Sequence, residues 1–198
     1  MVRVGILALQ GDFLEHFEVL RDLGVEAIYV RKPRDLENVD ALIIPGGEST
    51  TIGSLIQYAG LAPAITRFAE EGKPILGTCA GAILLAKKVI DRVVGETGQF
   101  TLGLMNIAVV RNAFGRQNQS FEAVVNIEGI GEVRAAFIRA PVISEAWPQA
   151  KIIGYVNHPV LGKVGAAAVQ GNLMAITFHP EITGDKKIYE YLITLARR

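Results

Sequence analysis

Through its first half the chain alternates short apolar runs with segments whose apolar residues recur every three or four positions, and few folds accept that alternation. "VRVGILAL" is aliphatic or β-branched at nearly every position, the mark of a strand buried on both faces. In "DFLEHFEVLRDLG", Phe13, Phe17, Leu20 and Leu23 recur at helical spacing, Glu15, Glu18 and Asp22 take the other face, and Gly24 supplies the stop. The strand "VEAIYV", a connection containing Pro33 and the strand "ALIIPGG" follow, then a helix over "STTIGSLIQYAG" opened by cap-forming hydroxyls and a helix from Pro63 to Glu71. "KPILGTCAG" runs from strand through turn into the helix "AGAILLAKKV". Such βα units predict an α/β fold, an open and mostly parallel sheet flanked by helices.

Beyond Gly95 the texture changes. "LGLMNIAVV", "EAVVNI", "VRAAFIRAPVI", "AKIIGYV" and "KVGAAAV" are short strand-like runs with little helical period between them, which predicts additional antiparallel strands in the second half. "AAAVQGNLMAITF" reads as two strands joined at Gly171-Asn172, and "GDKKIYEYLITLARR" as a closing helix with an Ile188, Leu192 and Leu195 stripe and Asp185 as candidate cap. No linker or repeat interrupts the 198 residues, so one domain over 1–198 is expected. Twenty basic and twenty acidic residues cancel without a run of one sign, which argues against nucleic acid or an anionic membrane as partner. A single cysteine, no apolar stretch near the ~20 residues of a span and no cleavage-site pattern at the N-terminus predict a cytoplasmic protein.

That one cysteine, Cys79, stands in "GTCAG". A lone cysteine is usually an inert core residue. Here, however, a G-x-C-x-G frame between strand and helix has the form of a nucleophile elbow, and the start of a helix favours thiolate over thiol. Such a nucleophile needs a base. Of three histidines, His16 sits near the edge of the first helix's apolar face, where a structural or interface role is expected, and His158 precedes Pro159 in a turn with no acid nearby. His179 ends a strand, and His179-Pro180-Glu181 places a carboxylate two residues on, able to fix the ring's tautomer. "IIPGGEST" offers glycines through which a backbone N–H could reach a developing oxyanion. Glycine-marked loops at Gln10-Gly11, Gly46-Gly47 and Gly77 to Gly81 all fall at carboxyl ends of predicted strands, where open α/β sheets bind ligands.

A cysteine elbow, a P-G-G loop and a late H-P-E together resemble class I glutamine amidotransferases. "LALQGDFLEH", "PGGESTTI", "GTCAG", "RNAFGRQNQSFE", "FIRAP" and "QGNLMAITFHPE" narrow the resemblance to the glutaminase subunits of pyridoxal 5′-phosphate synthase, over almost the whole chain. Asn106, where an acidic residue is expected, and the stretch 144–164 depart from that pattern. The resemblance implies a flavodoxin-like fold of the class I amidotransferase type and hydrolysis of L-glutamine through a γ-glutamyl thioester, with the ammonia passed to a synthase subunit in a hetero-oligomer. It assigns Cys79 as nucleophile, His179 as acid and base, Glu181 as orienting carboxylate, and the N–H groups of Gly47 and Ala80 as oxyanion hole. Gly46, Gly47, Glu48, Ser49, Arg111, Ile138 and Arg139 are its glutamine-binding positions, with Arg116 a second candidate arginine. It implies no metal and no cofactor, pyridoxal phosphate being the pathway's product. The first helix and the Gln10-Gly11 turn become candidate contact surfaces for the synthase. Two other readings stay open: a glutaminase of another pathway, such as imidazole glycerol phosphate synthesis, which would keep the triad but not "RNAFGRQ", and a silent binding or stress-sensing protein with an elbow cysteine and no working triad.

Overall fold

A computed structural model describes residues 2–114, 120–158 and 161–198. The framework is laid down by β1 (Arg3–Leu7), helix α1 (Phe13–Asp22), β2 (Glu26–Val30), a 3-10 turn (Pro33–Asn38), β3 (Ala41–Ile44), helices α2 (Ser49–Tyr58) and α3 (Leu61–Glu70), β4 (Ile75–Thr78) and helix α4 (Ala80–Leu85). Then come β5 (Ala86–Asp91), β6 (Gly95–Glu96), β7 (Met105–Arg111), β8 (Phe121–Ile127), β9 (Gly131–Phe137), β10 (Val142–Ala146), β11 (Lys151–His158), β12 (Gly162–Gln170) and β13 (Leu173–Ile176). Helices α5 (Pro180–Thr183) and α6 (Lys187–Ala196) close the chain. No helix among the described residues is long and apolar enough to cross a membrane.

The sheet order is β2-β1-β3-β4-β13-β12-β10-β7-β5-β6. From β2 to β13 every neighbour is parallel, whereas β12 pairs antiparallel with β13 and β11, and β8 with β11 and β9. Alternation along each parallel strand feeds two cores. Val4, Ile6, Ala41, Ile43 and Leu76 face α1 and α6, while Leu42, Ile44 and Ile75 face α2, α3 and α4. Both faces are covered, as the uninterrupted aliphatic runs require.

The expected elements form, with corrections at three of them. "AGAILLAKKV" is not one helix: α4 stops at Leu85 and the chain turns directly into β5, which pairs parallel with β7 and puts Lys87 and Lys88 outside. "VRAAFIRAPVI" is two strands, broken after Phe137 where Arg139 adopts φ 48° ahead of Pro141. Helix α2 is capped not by hydroxyls but by Glu48, whose carboxylate accepts from the Thr50 and Thr51 N–H groups at 3.1 and 2.6 Å. Asn106 is buried on β7, its amide donating to the Pro148 carbonyl at 2.6 Å, a bond that an ionised acid could not make.

Strand β9 ends the branch of the sheet that runs through β11 and β8. Its outer edge is met by the C-terminal segment. Asp185 accepts from the Arg134 N–H at 2.9 Å, Thr183 donates to the Arg134 carbonyl at 2.8 Å, and the His179 N–H donates to the Ala136 carbonyl at 2.9 Å.

Candidate active site

Strand β4 ends at Thr78, and the next residue leaves the sheet in a conformation rare for anything but glycine: Cys79 has φ 49° and ψ −102°. The flanking glycines are there because of contact. A Cβ on Gly77 would lie 2.6 Å from the Gly81 carbonyl, and one on Gly81 would lie 2.1 Å from the Ile44 carbonyl oxygen. Helix α4 therefore starts hard against β3 and β4, and the turn is pinned by the Cys79 N–H donating to Ile176 O at 2.9 Å.

His179 arrives from the end of the neighbouring strand β13 and lines the same cleft as Cys79. On its other side Nδ1 meets Glu181 Oε1 at 2.5 Å, with Pro180 fixing the first turn of α5 between them. Burial would lower the pKa of His179, but Cys79 and Glu181 outweigh it and push it up to about 11. Burial likewise opposes ionisation of Glu181, yet His16 and His179 facing it hold the carboxyl below the usual range. Cysteine, imidazole and carboxylate thus form a line from the cleft into the core.

The cleft has a volume of about 400 Å³ and lies over the carboxyl ends of β1, β3, β4 and β13. Of the residues expected from sequence, Cys79, His179, Gly47, Ala80, Glu48, Ser49, Arg111, Ile138 and Arg139 all line it. Gly46 lies beneath, where a Cβ would come within 2.6 Å of His179 Cε1, and Glu181 stands behind the imidazole with its side chain wholly buried. Arg111 is tethered by Asp91, Nε to Oδ2 at 3.0 Å, and donates to Gln99 Oε1 at 2.6 Å. Three backbone and side-chain N–H donors, from Val93 first and then Val94 and Asn112, together with Arg111, hold the buried Asp91 carboxyl below its ordinary range. Arg116 lies outside the described residues.

The Gln10-Gly11 loop expected at a strand's carboxyl end is there, and Asp12, Thr78 and Tyr189 join the site without having been expected. Gln10 accepts from the Glu48 N–H at 2.9 Å and Asp12 N–H donates to Gly46 O at 3.1 Å, so the loop after β1 grips the P-G-G loop. The Asp12 carboxylate is 3.5 Å from His179 Nδ1, and burial, opposed by His179, raises its pKa. Thr78 and Tyr189 bond to His16. His16 itself is not at the edge of the apolar face but wholly buried, and its signal was there to be seen: a polar residue four positions before Leu20 on the same stripe. His158 is buried against Phe114, bonded to the Ala113 carbonyl at 3.1 Å and accepting from Leu161 N–H at 2.9 Å.

Residues 6–197 match the SNO glutamine amidotransferase family. The chain is 59% identical to the pyridoxal 5′-phosphate synthase subunit PdxT of Hyperthermus butylicus, covering 100% of this chain and 98% of that one. It is 51% identical to the PdxT of Pyrobaculum aerophilum, covering 98% of each. A crystal structure of a glutamine amidotransferase superposes with a TM-score of 0.89 at 44% identity, over 98% of this chain and 99% of that one.

Proposed function

Because the chain belongs to the SNO glutamine amidotransferase family, we propose that it is a single glutaminase domain that hydrolyses L-glutamine and hands the ammonia to the synthase subunit of a pyridoxal 5′-phosphate synthase. The observation that carries this reading is the Cys79, His179 and Glu181 line, with the sulfur at the floor of a cleft and the acid behind the base.

The chemistry follows from the residues. Cys79 and His179 act as a thiolate and imidazolium pair, and the sulfur adds to the side-chain amide carbon of glutamine. Negative charge gathers on the amide oxygen, which the N–H groups of Gly47 and Ala80 receive. His179 then gives its proton to the departing nitrogen, ammonia leaves, and a γ-glutamyl thioester remains. Water, deprotonated by the now neutral imidazole, adds to the thioester, and its collapse returns glutamate and the free thiolate. Glu181 keeps the ring in the tautomer and orientation that both halves need. Arg111, which lines the cleft, holds the α-carboxylate of the substrate, and Ile138 and Arg139 line the same cleft.

The α-ammonium is less simply placed, since the Glu48 carboxylate already caps α2 and accepts the Thr51 hydroxyl at 2.6 Å. Its bonds to Thr51 and Thr50 outweigh partial desolvation and hold its carboxyl below the usual range, so it offers the substrate charge at the cleft's rim while its position is fixed by the helix.

The test is glutamate release from L-glutamine by the purified chain, alone and with its synthase subunit, with Cys79→Ala as control. Cysteine-dependent release that rises with the synthase supports both chemistry and partner. No release with a competent synthase present overturns the reading.

A further inference from the structure

Glu181 is held at only one of its two oxygens. Oε1 takes His179, but Oε2 is buried and has no hydrogen-bond partner among the described residues. A carboxylate fixed by one oxygen can still rotate about its last torsion, and a buried oxygen without a donor is costly. What Oε2 faces is His16 Nε2, at 3.7 Å, on a side chain that is itself wholly buried.

The rest of the His16 ring has defined partners. Its Nδ1 lies 2.8 Å from the Tyr189 hydroxyl, and its Nε2 lies 3.2 Å from the Thr78 hydroxyl. Burial, with the Glu181 charge acting the same way, pushes Tyr189 well above its ordinary titration, so the phenol keeps its proton and has one to donate. Burial also drives His16 toward the neutral form, in which one nitrogen donates and the other accepts. If Nδ1 accepts from Tyr189, the ring proton sits on Nε2, between Thr78 and the free oxygen of Glu181. The other tautomer would turn a lone pair against that carboxylate. The remaining charged groups near this contact are His179, Asp12, and Glu15 on the same helix as His16.

We propose that His16, set in its Nε2–H tautomer by Tyr189, is a positioning residue that steadies the second oxygen of Glu181 and so the orientation of His179. At 3.7 Å the contact is charge to dipole rather than a hydrogen bond. It fixes the carboxylate plane from the side opposite the imidazole. The inference rests on the glutaminase reading above and adds a fourth member, contributed by α1, to the line that starts at Cys79.

Two measurements test it. The first is kcat, KM and the pH profile of glutamate release in the complex with the synthase subunit, for His16→Phe, His16→Gln and Tyr189→Phe. His16→Phe should lower kcat by about 10- to 100-fold with KM little changed and should displace the pH profile, an effect well short of the ~10⁴ available from the orienting carboxylate itself. Glutamine can place an amide N–H near the Nε2 position and should recover much of the loss, while Tyr189→Phe should cost a few-fold. A folded His16→Phe with wild-type kcat and pH profile overturns the proposal. The second measurement does not depend on activity or on the variants folding: nitrogen NMR of the histidine-labelled wild-type chain. A protonated Nε2 and bare Nδ1 at His16 support it, and the reverse tautomer overturns it. Should wild type and Cys79→Ala release equally little glutamate, it is the glutaminase reading that fails, and the tautomer is read all the same.

Discussion

Strands β1, β3, β4 and β13 each end in a loop that enters the cleft, whereas the strands outside that parallel set reach it through Arg111 at the end of β7 and the Ile138 and Arg139 segment after β9. Parallel neighbours point their carboxyl ends the same way, so four loops converge without special arrangement. Strands joined as hairpins send successive ends to opposite edges, so β8 to β9 and β11 to β12 offer fewer ends to one site. Cys79, His179 and Glu181 accordingly come from the first arrangement, and the cleft-lining Arg111, Ile138 and Arg139 from the second. In the proposed reaction one region serves chemistry and the other recognition.

That division can be broken most decisively at Glu181. Glu181→Gln should lower kcat by as much as ~10⁴ with the fold intact, measured as glutamate release beside a thermal melt. Next in size is a contrast in stability. Gly81→Ala drives a methyl into the Ile44 carbonyl and should cost about 3 kcal/mol or more, while Gly162→Ala, in open space at φ 71°, should cost only about 1 kcal/mol; chemical denaturation of both variants compares the two halves directly. Arg111→Ala should raise KM about 10- to 100-fold and leave most of kcat, because a charged hydrogen bond to the substrate is lost without touching the triad. A fall in kcat at constant KM would erase the division between the regions.

The gentlest test is pH. His179 titrates at about 11 in the fold against 6.5 for an ordinary histidine, so between those values the folded chain binds the extra proton. Its contribution to stability is complete below about 6.5 and is lost as pH rises through about 11. Denaturation midpoints from pH 6 to 10 should fall accordingly, and the slope should flatten in Cys79→Ala, which removes the cysteine's share of the upward shift.

The same contrast explains what could be read before any coordinates. Strands β1, β3, β4 and β13, with the turns after them, carry their signals locally: continuous aliphatic runs, glycines at carboxyl ends, a histidine and proline pair. The turns after those strands meet at one cleft. The sequence-local signals failed where tertiary contact decides. "AKKV" has helical propensity, yet it is drawn into β5 by its pairing with β7, and Glu48 takes the cap because its backbone is held by Gln10 from another loop. His16 and Tyr189 are 173 residues apart and meet only because α1 and α6 cover the same face of the sheet.

The turn that carries His179 also closes the open side of β9, through Asp185, Thr183 and its own backbone N–H. An unpaired strand edge invites another chain to add to it. The turn that holds His179 therefore also covers a strand edge: changes that loosen residues 179–185 would uncover β9 as well as shift the imidazole, so solubility and the placing of His179 depend on the same contacts.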